Sequence, residues 1–385
     1  MPSRLFSLAM ANSGAVSIDN SASFWAPFPD AGNGAVSLQL ARGTGSATFT
    51  RAGATATTIL SNGLVSPVIS ANVARSCYDP VTLQYLGYLA EEARTNDCLW
   101  SRDLTNAAWV KTTMTTAQAS TGNDGVANSA TRCTATAGNA TALQTLTAAA
   151  TNRTYSVDIR RVTGTGNIQI TQDNGVTWTT CAGLSSSVYT RYTFTQSVLN
   201  PVFGIRIVTS GDAVDVDYNQ IEAGAIATSR IPTTTVAVTR NADQLLYPTA
   251  GNALGTAGTC AAIVSCSTFA AAPRMLSLSD VAERPALFAN GGTSIAIFDG
   301  VTIVNGPLVG AVNVPTRYAS KWGGSTMVAA TNGVLGTPGA FDGNMDVGTN
   351  MGIGWSPTAG LSINGTIRNL RIWQTALSDT QVAAL

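Results

Sequence analysis

The stretch Tyr155-Ser156-Val157-Asp158-Ile159-Arg160 decides the fold class. Apolar and polar side chains alternate through it one for one, the period of a strand with one face on a core and the other turned outward. The same period returns in Phe203, Ile205 and Ile207, and in Val214, Val216 and Tyr218, which alternate with Asp215 and Asp217. Asn174-Gly175 sits between such runs, and both residue types tolerate the positive φ of a tight hairpin turn. Farther along, Leu276 and Leu278 flank Ser277, while Ile295 and Ile297 lead into Asp299-Gly300 and a second run from Val301 to Ile303. Asp299-Gly300 and Asn332-Gly333 therefore predict two more hairpins. Only the end reads as helix, with Ser378 placed to cap a short turn through Val382 to Leu385.

Composition agrees with that pattern. Charged residues make up 11% of the 385 positions, against roughly 25% in a typical soluble domain. Exposed helix faces need Glu, Lys and Arg, and this chain is instead rich in small residues, with 37 Gly. The expected class is all-β, as tandem β-sandwiches. The length calls for two or three domains. Residues 1–45, poor in periodic apolar positions, read as an extended N-terminal arm anchored by Phe24, Trp25 and Phe28. Residues 46–98 read as a connecting module, 99–245 as a jelly-roll sandwich, and 246–385 as a second sandwich, with the boundary marked by Pro248 and Gly251.

Several function classes fall away. The net charge is zero and the basic residues are scattered, so nucleic acid is not an expected partner. No apolar run approaches the ~20 residues of a membrane span. The stretch Met1 to Met10 is too interrupted for a signal-peptide core. The chain has no His, which removes His acid–base chemistry, His-containing triads and His-ligated zinc. None of the six cysteines forms a C-x-x-C pair, and Cys260 and Cys266 on one strand would lie about 20 Å apart. That is beyond disulfide reach. Buried free thiols from a reducing cytoplasm are expected, with no metal and no cofactor.

Ordered blocks then carry a resemblance. Phe49-Thr50-Arg51-Ala52, Tyr78-Asp79-Pro80-Val81-Thr82 and Gly87-Tyr88-Leu89-Ala90-Glu91-Glu92-Ala93-Arg94-Thr95-Asn96 come first. Trp100-Ser101, Leu104 and Asn106-Ala107-Ala108-Trp109 follow. The series closes with Gln220-Ile221-Glu222-Ala223-Gly224, Thr228-Ser229, Ile231-Pro232-Thr233 and Thr239-Arg240-Asn241-Ala242-Asp243. Together, over roughly residues 47–245, they resemble a module of tailed-bacteriophage fibres and other virion structural proteins with a carbohydrate-binding-module-like jelly roll. The sequence departs from that pattern at Asp97-Cys98, where leucines are usual. A second resemblance, carried by Gly352-Ile353-Gly354, Gly365-Thr366-Ile367, Leu370-Arg371-Ile372-Trp373 and Ala376-Leu377-Ser378-Asp379, is to a laminin-G/concanavalin A-like sandwich over 255–385.

Candidate sites are few. Adjacent Glu91 and Glu92 would point to opposite faces of a strand, so an ion pair of Arg94 with Glu92, fixing the join between arm and sandwich, is expected rather than acid–base chemistry. Asp215 and Asp217 share one strand face, which suits a solvated surface better than a catalytic pair or a calcium site. Asp342 and Asp346, flanked by Gly343 and Asn344, read as a turn more readily than as calcium ligands. Among the tryptophans, Trp109, Trp322 and Trp373 read as core, while Trp178 and Trp355 are the candidate platforms for sugar rings. Asp280, Glu283 and Asp299 complete the acids open to a glycanase reading, and none stands in a recognisable spacing.

The resemblance implies a non-enzymatic virion component, a fibre, appendage or decoration protein assembled in the bacterial cytoplasm. It implies other virion proteins as partners, a homotrimeric state and attachment to host-surface glycans. The alternatives are a glycan depolymerase of the particle and a capsid cement protein that binds no sugar.

Overall fold

A computed structural model describes residues 21–270 and 272–385. They form two β-sandwiches. The smaller is the predicted jelly roll, made of two five-stranded antiparallel sheets. One sheet runs in the order Thr190–Val198, Thr151–Thr163, Ala213–Ala223, Ala130–Ala135, Met114–Ser120; the other runs Thr179–Thr180, Ile168–Thr171, Val202–Ile207, Ala140–Thr145, Val110–Thr112. The alternating residues do what their period demands: Tyr155, Val157, Ile159, Val214 and Val216 meet Ile168, Ile170, Phe203, Ile205 and Ile207, all without exposed surface.

The larger sandwich packs an 11-stranded sheet on a 7-stranded one, counted over the described residues. Its core gathers Trp322, Ile367, Ile372, Val264, Leu276, Ile295, Ile297 and Met351. Cys260 and Cys266 share the strand Ala257–Cys266 and are both buried and unbridged. Asn332 and Gly333, with φ of 49° and 81°, form the two-residue turn the sequence predicts. Asp299-Gly300 behaves differently. It opens a longer turn in which Asp299 Oδ1 accepts from the N–H groups of Val301 (2.9 Å) and Thr302 (2.6 Å). The helix Asp379–Ala384 starts at a full capping box between Ser378 and Gln381 and buries Val382.

Connectivity departs from the sequence reading. Of the expected arm, residues 1–20 lie outside the described residues, and residues 21–45 are part of the larger sandwich. Phe24–Ala26 pairs antiparallel with Gly365–Trp373, in the register Phe24↔Ile372. Phe24, Ala26 and Phe28 are completely buried, and the Phe24 ring meets Tyr247 edge-on at 5.2 Å. The expected connecting module is likewise sandwich. Thr48–Thr50 pairs with Gln244–Pro248, and Arg75–Tyr78 and Tyr85–Ala90 extend the large sheet beyond Gly365–Trp373. The sandwich assigned to 246–385 therefore begins near Phe24, and the jelly roll is inserted into it. The physical reason is edge satisfaction. Strands from 246–385 alone would pair one edge of Gly365–Trp373, through Ala257–Cys266, but leave the other edge unpaired and the core open where Phe24, Phe28 and Tyr88 now sit. The chain leaves at Arg94–Asn96 and returns at Val238–Arg240, two short strands paired as Thr95↔Thr239.

Candidate functional site

The point of insertion is a buried polar joint. Arg75 lies in the strand Arg75–Tyr78 and is fully buried; its Nη2 bonds Glu91 Oε2 at 2.8 Å and also reaches Asp243. Arg51 Nη1 closes on Asp243 Oδ1 at 2.9 Å. Arg240 lies 3.1 Å from Glu91 and bonds the Glu92 carbonyl. Ser229 donates to Glu91 through its N–H (2.7 Å) and its hydroxyl (2.6 Å). Burial alone would raise the Glu91 pKa, but Arg240, Arg75 and Ser229 outweigh it and hold the carboxyl at about 2. Glu91 and Glu92 do point apart. Arg94 Nη2 donates to Glu92, which also accepts from Asn364 of the larger sandwich, while Arg94 Nε stands 3.9 Å from Glu222. Asn96 is fully buried and bonds the carbonyls of Asn219 and Ile231. Arg51, Glu91, Glu92, Arg94, Asn96, Ser229, Arg240 and Asp243 come from the blocks that carry the virion-module resemblance, whereas Arg75 and Asn364 lie outside them.

Asp215 and Asp217 are not on a solvated face. Both are buried: Asp215 pairs with Arg132 (2.9 Å) and Arg160 (2.8 Å), and Asp217 accepts a two-point bond from Arg102. Asp158, one strand over, is held by Arg230 and Asn123. The outer face of this sheet is covered by loops and by Ile59 and Val65, which pack on Tyr218, so the expected alternation ends in burial on both sides. The reason is electrostatic. A row of carboxylates with an Arg for each can be buried, whereas an unpaired row cannot.

The two candidate tryptophans part company. Trp355 is 9% exposed, with its Nε1 donating to the Leu245 carbonyl at 3.1 Å, so it is a core residue and offers no platform. Trp178 is half-buried at the outer face of the second jelly-roll sheet. Arg206 stacks on its ring at 4.1 Å, and the backbone of Gly175 approaches it closely. One face of the ring is thus engaged by the protein itself. Trp109, Trp322 and Trp373 are core. In the larger sandwich Asp346 pairs with Arg284 (2.9 Å), and Asp342 accepts from the N–H of Asn344. Glu283 pairs with Arg274 (3.0 Å), and Asp280 accepts from Asn350. Asp299 is buried as a turn acceptor.

The groove best suited to a sugar lies beside a tryptophan the sequence reading did not single out. About 330 Å³ in volume, it runs between Trp100, Arg102, Asp103, Gln118 and Thr233. Trp100 is half-buried with φ of 50°, a conformation that turns its backbone sharply, and its carbonyl accepts from Trp109 Nε1. A tryptophan beside amide, guanidinium and carboxylate groups combines apolar and hydrogen-bonding surface, a composition that suits a sugar ring. The signal was present in Trp100-Ser101-Arg102-Asp103, an aromatic directly followed by polar residues in a loop.

No protein-family model matches the chain, and no curated protein matches it. Solved structures with related β-sandwich folds do. Domain 4 of an extracellular arabinanase from Geobacillus stearothermophilus, in complex with arabinotriose, is 14% identical, covering 42% of this chain and 82% of that one at a TM-score of 0.31. Domains LG4-5 of the mouse laminin α1 chain are 10% identical, covering 63% and 88% at 0.27. The tandem CBM22 domains of Xyn10C from Paenibacillus barcinonensis are 10% identical, covering 76% and 94% at 0.27. The all-β, tandem-sandwich class rests on the strands and sheets of this chain itself.

Proposed function

We propose that this chain is a non-catalytic structural component of a bacteriophage particle. It would be a fibre, appendage or decoration protein whose sandwiches are displayed to hold host-surface glycans, with the Trp100 groove as the sugar-facing site. The observation that carries this reading is the joint. The sequence blocks that resemble virion modules supply Arg51, Glu91, Arg240 and Asp243, which lock the inserted jelly roll onto the larger sandwich. A display protein needs such a rigid mount. The non-catalytic part draws support from the candidate acids, for Asp215, Asp217, Glu283 and Asp346 are each tied to an arginine.

The reading is tested by mass spectrometry of density-purified particles from lysates in which the gene is expressed. The chain is expected there in stoichiometric amount, and its absence from intact particles ends the proposal. A homotrimer is part of the reading, because a surface with few charges lets copies pack with little desolvation. Light scattering should then report three times the 39.5 kDa chain mass, and a monomer at micromolar concentration removes the trimer. Trp100→Ala should weaken binding of host-surface polysaccharide at least tenfold while leaving the far-ultraviolet spectrum unchanged.

A further inference from the structure

A crevice of about 160 Å³ opens where the two sandwiches meet. Thr57 and Glu91 line it from loops of the N-terminal part of the larger sandwich, Arg191, Ser229 and Arg230 from the jelly roll, and Ser267 from the C-terminal part of the larger sandwich. Its charges do not balance. Around the joint stand six guanidinium groups, those of Arg51, Arg75, Arg94, Arg191, Arg230 and Arg240, against the five carboxylates of Glu91, Glu92, Asp158, Glu222 and Asp243. Five of the arginines reach a carboxylate. Arg191 does not, among the described residues. Its cross-strand neighbour Asp158 is already bound by both Nε and Nη2 of Arg230, and by Asn123. Arg191 is left with the carbonyl of Thr228 (2.6 Å) and the hydroxyl of Ser156 (2.7 Å), and its Nε has no partner.

Arg191 makes no direct ion pair; burial first, and then the neighbouring Arg230, lower its pKa to about 10, and the charges of Asp158, Glu222 and Glu91 offset that only in part. An anion entering the crevice beside Arg191 would relieve the cost of burying its charge. Glu91, the one carboxylate lining the crevice, is neutralised by Arg75 and Arg240 behind it, so it does not cancel the attraction. The size admits one carboxylate and part of a ring, and the hydroxyl-bearing residues Thr57, Ser229 and Ser267 are part of its lining, with the Thr57 and Ser229 hydroxyls already donating to the Arg230 carbonyl and to Glu91.

We propose that this inter-sandwich crevice is a second ligand site, which takes the carboxylate of an acidic sugar on Arg191. The sugar half of this assignment rests on the glycan-display reading above; the anion half stands on the crevice alone.

The test is calorimetric titration of the full chain with glucuronate, glucose and sulfate, beside the same titrations of Arg191→Gln and Ser267→Tyr. The second variant fills the crevice from the opposite sandwich without touching the arginine, so a folding defect in the first does not end the test. Glucuronate is expected to bind the wild-type chain at least tenfold more tightly than glucose, with at least a tenfold loss in both variants. Equal binding by the variants, or no glucuronate binding while host polysaccharide still binds in the Trp100 groove, overturns the site and leaves the display reading intact. Sulfate binding as tightly as glucuronate overturns the sugar assignment. Failure of every glycan, polysaccharide included, counts against both proposals.

Discussion

Arg51 and Asp243 stand 192 residues apart in sequence and close an ion pair at 2.9 Å with neither side chain exposed. Between them the chain has run out through the entire jelly roll and back. The pair forms only when that excursion is complete, and Asp243 also accepts from Arg75 and from the N–H of Glu91.

Removing the Asp243 charge should therefore be severe. Asp243→Asn leaves Arg51 and Arg75 buried with Glu91 as the nearest remaining anion, and a broken buried pair typically costs about 3–5 kcal/mol. Urea unfolding of the variant against wild type measures it. A loss under about 1 kcal/mol would show that the joint does not hold the sandwiches together.

Acid should open the same joint. The Glu91 pKa falls from 4.5 to about 2 on folding, because Arg240, Arg75 and Ser229 outweigh the opposing effect of burial. A depressed carboxylate contributes stability that is fully present above pH 4.5 and is lost as the pH falls towards 2. The melting temperature should drop through that window. Glu91→Gln should start lower at neutral pH and fall less steeply; parallel curves would assign the acid sensitivity elsewhere.

The two tryptophans first proposed as sugar platforms should separate on stability. Trp355→Ala empties a core position and breaks the bond to the Leu245 carbonyl, at a typical cost of about 3–5 kcal/mol. Trp178→Ala removes a half-buried ring and its Arg206 stacking, worth about 1 kcal/mol. Calorimetric melting of both variants should show that order. A reversed order would contradict the placement of both rings.

Ser378→Ala should fray the C-terminal helix without unfolding the sandwich. The cap bonds Gln381 N at 3.3 Å and is returned by Gln381 Oε1 at 2.9 Å, and losing such a cap costs about 1 kcal/mol. Hydrogen exchange should accelerate in Asp379–Ala384 and stay unchanged in Gly365–Trp373. Faster exchange in both would mean that the helix is a structural part of the large sheet.

Much of the jelly roll was legible because its core strands are built from a local period. Tyr155, Val157 and Ile159 announce one buried face whatever they pack against. The opposite face was not legible. Asp158, Asp215 and Asp217 look like surface residues in sequence, and only Arg230, Arg132, Arg160 and Arg102, brought from distant loops and strands, allow them to be buried. Trp355 misled for a related reason. Its neighbours Ser356 and Pro357 mark a turn, but the indole folds back onto Gln244–Pro248, a strand more than a hundred positions away.

By itself the sequence determined the type of several segments: strand where alternation is regular, hairpin by Asn332-Gly333, helix by the Ser378 cap. These are short-range properties, set by backbone sterics and by neighbours within a few residues. Which segments belong together was decided only in three dimensions. Phe24–Ala26 looks like part of a loose arm until its hydrogen-bonding edge is matched to Leu370–Ile372, and Arg51 has no visible counter-ion until Asp243 returns from the jelly roll. An edge strand's partner and a buried charge's neutraliser are fixed by the free energy of leaving either unsatisfied, which depends on the assembled surroundings and leaves no local periodic trace.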